Sequence, residues 1–115
     1  MKKFDLLKKI EEAKIKHKAG NSLEANQIFQ VLLKSNNDSF DLLYAYGVFC
    51  RDLKNFNLAK LVFLDLINKF PTSIKPYILF AEILKIENKF KDAENILLRA
   101  MKIAPNHKDL SLIHI

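Results

Sequence analysis

The sequence predicts an all-α protein, an α-solenoid of three helix-turn-helix units, and three observations predict it. Ala25, Ala59 and Ala93 recur at a spacing of 34 residues, and Ala13, Gly47 and Ala81 precede them by twelve. Phe29, Phe63 and Leu97 follow the same alanines by four. Asn37, Pro71 and Pro105 then close the three segments in step. A period of this length marks a helical repeat, in which each unit buries a face against its neighbours.

Six helices are expected, over 6–19, 22–35, 39–53, 56–69, 73–87 and 90–103. In the first, Ala13 is the small residue that lets a second backbone approach, while Lys9, Glu12 and Lys16 face outward. The second opens with Asn21 and Glu24 spaced as a helix-start pair, and the third opens in the same way with Asp38 and Asp41. The fourth stops before Pro71, whose missing amide hydrogen cannot continue the ladder. Pro76 is tolerable only in the first turn of the fifth helix, and Pro105 ends the sixth. On each second helix the aromatic or leucine four residues past the alanine shares a stripe with Leu32/Leu33, Leu66/Ile67 or Ala100/Met101, and this stripe is the expected buried seam.

The middle segment, with Leu43, Tyr46-Gly47, Cys50, Ala59, Phe63 and Pro71, resembles the tetratricopeptide repeat (TPR). Tyr77, Phe80-Ala81, Leu84, Phe90, Ala93, Leu97 and Pro105 fill the same places in the third. The first, with Ala13, His17, Gly20 and Ala25, resembles the opening repeat of bacterial arrays, and its charged outer face suits an end unit. The resemblance covers roughly residues 6–107, with repeats at about 6–39, 40–73 and 74–107 in a TPR domain over 1–109. It implies a right-handed superhelix whose first helices line a concave groove. It also implies a protein-protein interaction scaffold, since members of this family recognise many partners on one frame. The alternative it leaves open is the N-terminal recognition arm of a larger enzyme, glycosyltransferase-like or sulfotransferase-like.

The net charge of +6 is spread along the chain: +1 over 1–5, +2 over 6–39, +1 over 40–73, +2 over 74–107 and zero beyond. Lysine alternates with glutamate on helix surfaces, as on a solvated face, so nucleic-acid binding is disfavoured. Asp5, Lys8, Lys9, Glu11 and Glu12 interrupt the start before an apolar run of about 7 residues can form, which argues against a signal peptide. No window approaches the roughly 18 apolar residues of a membrane span, and a cytoplasmic protein is expected. The lone Cys50 reads as a core thiol. His17, His107 and His114 have no ligand spacing, and neither a phosphate loop nor a nucleophile motif occurs. No enzyme, metal or cofactor is expected.

By the resemblance, the groove is lined by Leu7, Ile10, Lys14, His17 and Lys18, then Asp41, Tyr44, Val48, Arg51 and Asp52, then Lys75, Ile78, Glu82, Lys85 and Ile86. Two lines at 34-residue spacing result, apolar Ile10, Tyr44, Ile78 and basic His17, Arg51, Lys85. The expected partner is a protein or peptide segment with apolar anchors beside acidic residues. The carboxylate-holding variant of the groove is not matched, because Ile10, Lys14, Ala45 and Leu79 depart from it although Lys75 fits. A second stripe, Leu58, Leu61, Leu64 and Leu98, lies off the seam and could mark a homo-oligomer contact. Finally, Leu110 to Ile115 resembles the translation of a transposase adapter used in sequencing libraries, so these residues are read as a non-native tail. Lys108 and Asp109 would then open a fourth repeat.

Overall fold

The turn that ends each first helix is built in the same way three times. Gly20, Lys54 and Asn88, each 34 residues from the next, all take a left-handed conformation, with φ of 86°, 63° and 63°. Around each, the same two backbone bonds form. Gly20 N donates to His17 O and Asn21 N to Lys16 O, Lys54 N to Arg51 O and Asn55 N to Cys50 O, Asn88 N to Lys85 O and Lys89 N to Leu84 O. This is the Schellman arrangement, which satisfies the last carbonyls of a helix while reversing the chain. Glycine takes the left-handed region without cost; Lys54 and Asn88 take it against a steric penalty.

The computed structural model describes residues 2–106. It contains α1 (Lys3–Lys18), α2 (Ser22–Leu33), α3 (Phe40–Asp52), α4 (Phe56–Lys69), α5 (Lys75–Ile86) and α6 (Phe90–Ile103), and no strand occurs among the described residues. Two of the expected spans, 56–69 and 90–103, are met at both ends; α1 begins three residues earlier than expected and α2 ends two residues earlier. The caps explain several boundaries. Asn21 Oδ1 accepts from Glu24 N at 3.3 Å and Asn55 Oδ1 from Leu58 N at 3.4 Å. The expected Asp38/Asp41 start is not formed: Ser39 Oγ caps α3 by accepting from Leu42 N at 3.2 Å, and Asp38 instead pairs with Lys69 at 3.2 Å. Pro76 sits in the first turn of α5, and Pro71 follows the end of α4 by two residues.

Each three-residue turn folds one helix onto the next, giving the pairs α1/α2, α3/α4 and α5/α6; α3 then packs on α1 and α2, and α5 on α4. The small residues stand at the crossings. Ala13, Ala25, Ala59 and Ala93 are fully buried, and so are the Phe29 and Phe63 that follow them. Two expected seam residues behave differently, because Leu33 is half-buried and Met101 is exposed. No described helix is long and apolar enough to cross a membrane. His107, His114, Lys108, Asp109 and the tail 110–115 lie outside the described residues.

Candidate functional site

Three first helices, aligned by the stacking of the pairs, leave a cavity of about 630 Å³ between α1, α3 and the start of α5. Its walls hold Leu7, Ile10, Lys14, His17, Lys18, Asp41, Tyr44, Val48, Arg51, Asp52 and Lys75, so every groove residue named from the first two repeats lies on one surface. From the third repeat only Lys75 does; Ile78, Glu82, Lys85 and Ile86 are not on this wall. Two of the apolar line are also largely core. Ile10 is 4% exposed and Ile78 9%, the latter packed with Tyr77, Ala81 and Leu97, so Tyr44 is the member that offers surface.

Ala45 and Leu79, read from sequence as groove positions that depart from the carboxylate-holding variant, and Phe29, read as a seam residue, also line the floor, which is completed by Phe40 and Phe49, with Glu11 on the rim, three residues not named for the groove from sequence. Phe40 was legible in principle, because it precedes Tyr44 by four and must share its helix face. The two rings stack at 5.8 Å, Phe40 meets Phe70 edge-on at 5.3 Å, and Tyr44 meets Phe63 at 6.4 Å. Tyr44 is thus held by packing on both sides, a preorganised contact whose ordering cost is already met in the folded chain. Burial pushes its phenol pKa up, with the charge of Arg51 acting in the opposite sense, so the hydroxyl stays protonated and can donate.

The expected basic line is interrupted. Asp52 lies between two of its members, with Arg51 Nη2 at 3.2 Å from Oδ1 and His17 Nε2 at 3.4 Å from Oδ2, and Lys85 is off the wall. The cations Lys14, Lys18, Arg51 and Lys75 face the anions Glu11, Asp41 and Asp52, an excess of one when His17 is neutral. Charge here is therefore mixed around an apolar floor. His17 also meets Ser22 Oγ through Nδ1 at 2.9 Å and the edge of Phe49 at 5.0 Å, tying α1, α2 and α3 together. Ser22 is not on the wall of this cavity, and the Ser22–His17–Asp52 line acts as a strut between helix ends. No group of His, Cys, Asp or Glu side chains able to hold a metal occurs among the described residues.

On the opposite, outer side, the leucine stripe divides. Leu58 is half-buried against the α3/α4 core, whereas Leu61 and Leu64 are exposed and line a furrow of about 620 Å³ with Phe80, Leu84, Ile96 and Arg99. Leu98 is exposed but does not line it.

No protein-family model matches the chain, and no curated protein matches it in sequence. Solved structures do. The Yersinia enterocolitica type III secretion chaperone SycD, in complex with a peptide of the translocator YopD, is 16% identical over 96% of this chain and 85% of its own, with a TM-score of 0.80. PcrH, in complex with the chaperone binding region of PopB, is 17% identical over 97% of this chain and 93% of its own, with a TM-score of 0.80. A MamA RS-1 double mutant is 17% identical over 95% of this chain and 61% of its own, with a TM-score of 0.73. At these identities the likeness is one of fold, and the fold it establishes is all-helical and TPR-like.

Proposed function

We propose that the chain is a three-unit TPR array, with units at 6–39, 40–73 and 74–107 wound as a right-handed superhelix, and that its concave cavity binds a segment of a partner protein. The observation that carries this reading is the wall itself: an apolar floor fixed by stacked aromatics, with a mixed rim on which Lys14, Lys18, Arg51 and Lys75 outnumber Glu11, Asp41 and Asp52 by one. Such a surface fits an extended or helical segment with apolar anchors and acidic neighbours. The folds of SycD and PcrH, each solved with a bound segment of another protein, support a cavity of this kind holding peptide. Binding and release without covalent chemistry is the activity we assign to it.

Selection of a random peptide library displayed on phage tests the reading. Enriched sequences should carry two apolar anchors and at least one carboxylate, and should lose about tenfold in affinity toward Tyr44→Ala, since a buried aromatic anchor is worth more than about 1 kcal/mol at a binding surface. Arg51→Glu with Lys75→Glu should weaken binding less and reduce its salt dependence. Lys85→Glu, off the wall, should leave it unchanged. Enriched peptides that bind the Tyr44→Ala and double-glutamate proteins as tightly as the parent would place recognition elsewhere.

A further inference from the structure

Two furrows run along the outer side of the molecule, one between α2 and α4 over α3 and one between α4 and α6 over α5, and the repeat makes them comparable position by position. The first is closed by polar contacts: Gln30 Nε2 donates to Tyr46 Oη at 3.0 Å and to Asn26 Oδ1 at 3.1 Å. In the second, 34 residues on, the same three places hold Leu64, Phe80 and Lys60, and Lys60 is engaged by Glu87, whose Oε1 accepts from its Nζ at 2.6 Å. Apolar surface thus replaces a hydrogen-bonded cover. Leu61 on α4 is 64% exposed and Leu64 is exposed beside it, above a floor of Phe80, Leu84 and Ile96.

The α6 wall of this second furrow carries two charges in a particular order. Asp92 and Arg99 line it from positions seven residues apart, two helical turns or about 10 Å along one face, with Asn95 and Ile96 midway between them. Both are exposed, and among the described residues neither forms an ion pair. Arg99 lies over the Tyr77 ring at 5.7 Å, a contact that positions its charge without neutralising it. One period earlier the two places hold Leu58 and Asp65, and Asp65 is paired with Lys69 at 3.2 Å, so the first furrow has no such couple.

A helix face with an anion and a cation placed symmetrically about its midpoint is complementary to itself when a copy is laid alongside it antiparallel. We propose that the α4/α6 furrow is the contact of a two-fold homodimer, in which α6 of each protomer lies antiparallel in the furrow of the other, Asp92 of each meets the partner's Arg99, and Ile96 lies at the axis. Leu61 and Leu64 then pass from water into the contact, and their burial drives association while the charges set its register. A foreign helix of one charge sign satisfies only one of the two groups; a second α6 satisfies both. Every residue of the site lies on α4, α5 or α6, and Glu94, Leu98 and Met101 do not line it, so it is independent of whatever packs on that side of α6.

Sedimentation velocity of the full chain tests this. The parent should show a monomer–dimer equilibrium in the micromolar range. Arg99→Asp and Asp92→Arg, each of which sets like charges against each other at both contacts, should each weaken the dimer about tenfold. Mixing the two single variants should restore parental affinity as a heterodimer, and the double variant Asp92→Arg/Arg99→Asp should recover it alone. Leu61→Glu should weaken association, whereas Tyr44→Ala should leave it unchanged, which separates this contact from the concave cavity. A parent that stays monomeric at millimolar concentration overturns the proposal and leaves the furrow to a foreign helix. A dimer that either single variant keeps at full strength also overturns it, by moving the contact elsewhere. Single variants that melt like the parent yet remain dissociated when mixed would do the same, because the two charges would then not face each other.

Discussion

Gly47 and Phe63 show how far a single methyl group matters at a helix crossing. A β-carbon on Gly47 would lie 2.6 Å from Phe63 Cε1 and 2.9 Å from Cζ, and Phe63 is fully buried. In an exposed helix, glycine to alanine gains about 1 kcal/mol. Here overpacking, typically about 1–3 kcal/mol, opposes that gain and wins. Gly47→Ala should therefore lower stability in urea denaturation, and should do so less in a Phe63→Leu background, where the interfering ring is gone; equal losses in both backgrounds would show that the crossing has slack. Cys50 illustrates the opposite, a residue with no special demand. Burial pushes its thiol pKa up, with a hydrogen bond from Tyr46 acting the other way, so the thiolate is scarce and the side chain serves as packing.

At the scale of the helix, most of the architecture was legible because each element is written with a spacing that only helices satisfy. The alanine-to-phenylalanine interval of four, the prolines just past α4 and before the end of the described chain, and the Asn21 cap all did what local chemistry requires. What was not legible depended on neighbours distant in sequence. Asp38 was free to be a cap until Lys69, brought over by α4, took its carboxylate, leaving Ser39 to serve. The basic line failed for the same reason: Asp52 could be placed on the groove from sequence, but not its position between His17 and Arg51. Phe40 was overlooked although its i+4 relation to Tyr44 was available, and it supplies the floor on which that ring rests.

The contact between α4 and the end of α5 yields a pH dependence. Its hydrogen bond from Lys60 holds the Glu87 carboxyl below its ordinary pKa, against the smaller effect of burial. A group lowered in the folded state contributes fully above its unfolded pKa of about 4.3, and that contribution is lost as pH falls through the lower folded value. The parent should thus be more stable than Glu87→Gln at pH 6–7, and the difference should shrink as the pH is taken from about 5 toward 3. A constant difference across that range in chemical denaturation would mean that the pair is not formed in solution.

Taken whole, the molecule is longer than a compact domain of its size, with extents of 37 × 28 × 21 Å and a radius of gyration of 14.7 Å against about 13 Å for a globule of this length. Elongation follows from nearest-neighbour stacking, in which no helix pair meets more than the next. Lys8, Glu11, Glu12 and Ile15 are exposed on α1, and Met101 and Ile103 are exposed at the end of α6.

The three left-handed turns at Gly20, Lys54 and Asn88 set a rule for how this chain can change its length. Because an α-helix advances about 100° per residue, a one-residue slip within a segment rotates every side chain downstream of it away from its own partner. Growth is consequently quantised. Tandem duplication of residues 40–73 restores the phase at the next turn and adds a further helix pair with its interface, so the resulting chain should melt at a higher temperature than the parent. The same duplication shortened by one residue carries nearly the same composition and hydrophobicity but arrives out of phase, and should melt lower than the parent or lose cooperativity. Similar melting of the two products would mean that register is set by something looser than the turn. In genomes, relatives of this chain are expected to differ in length by multiples of 34 far more often than by single codons inside a unit.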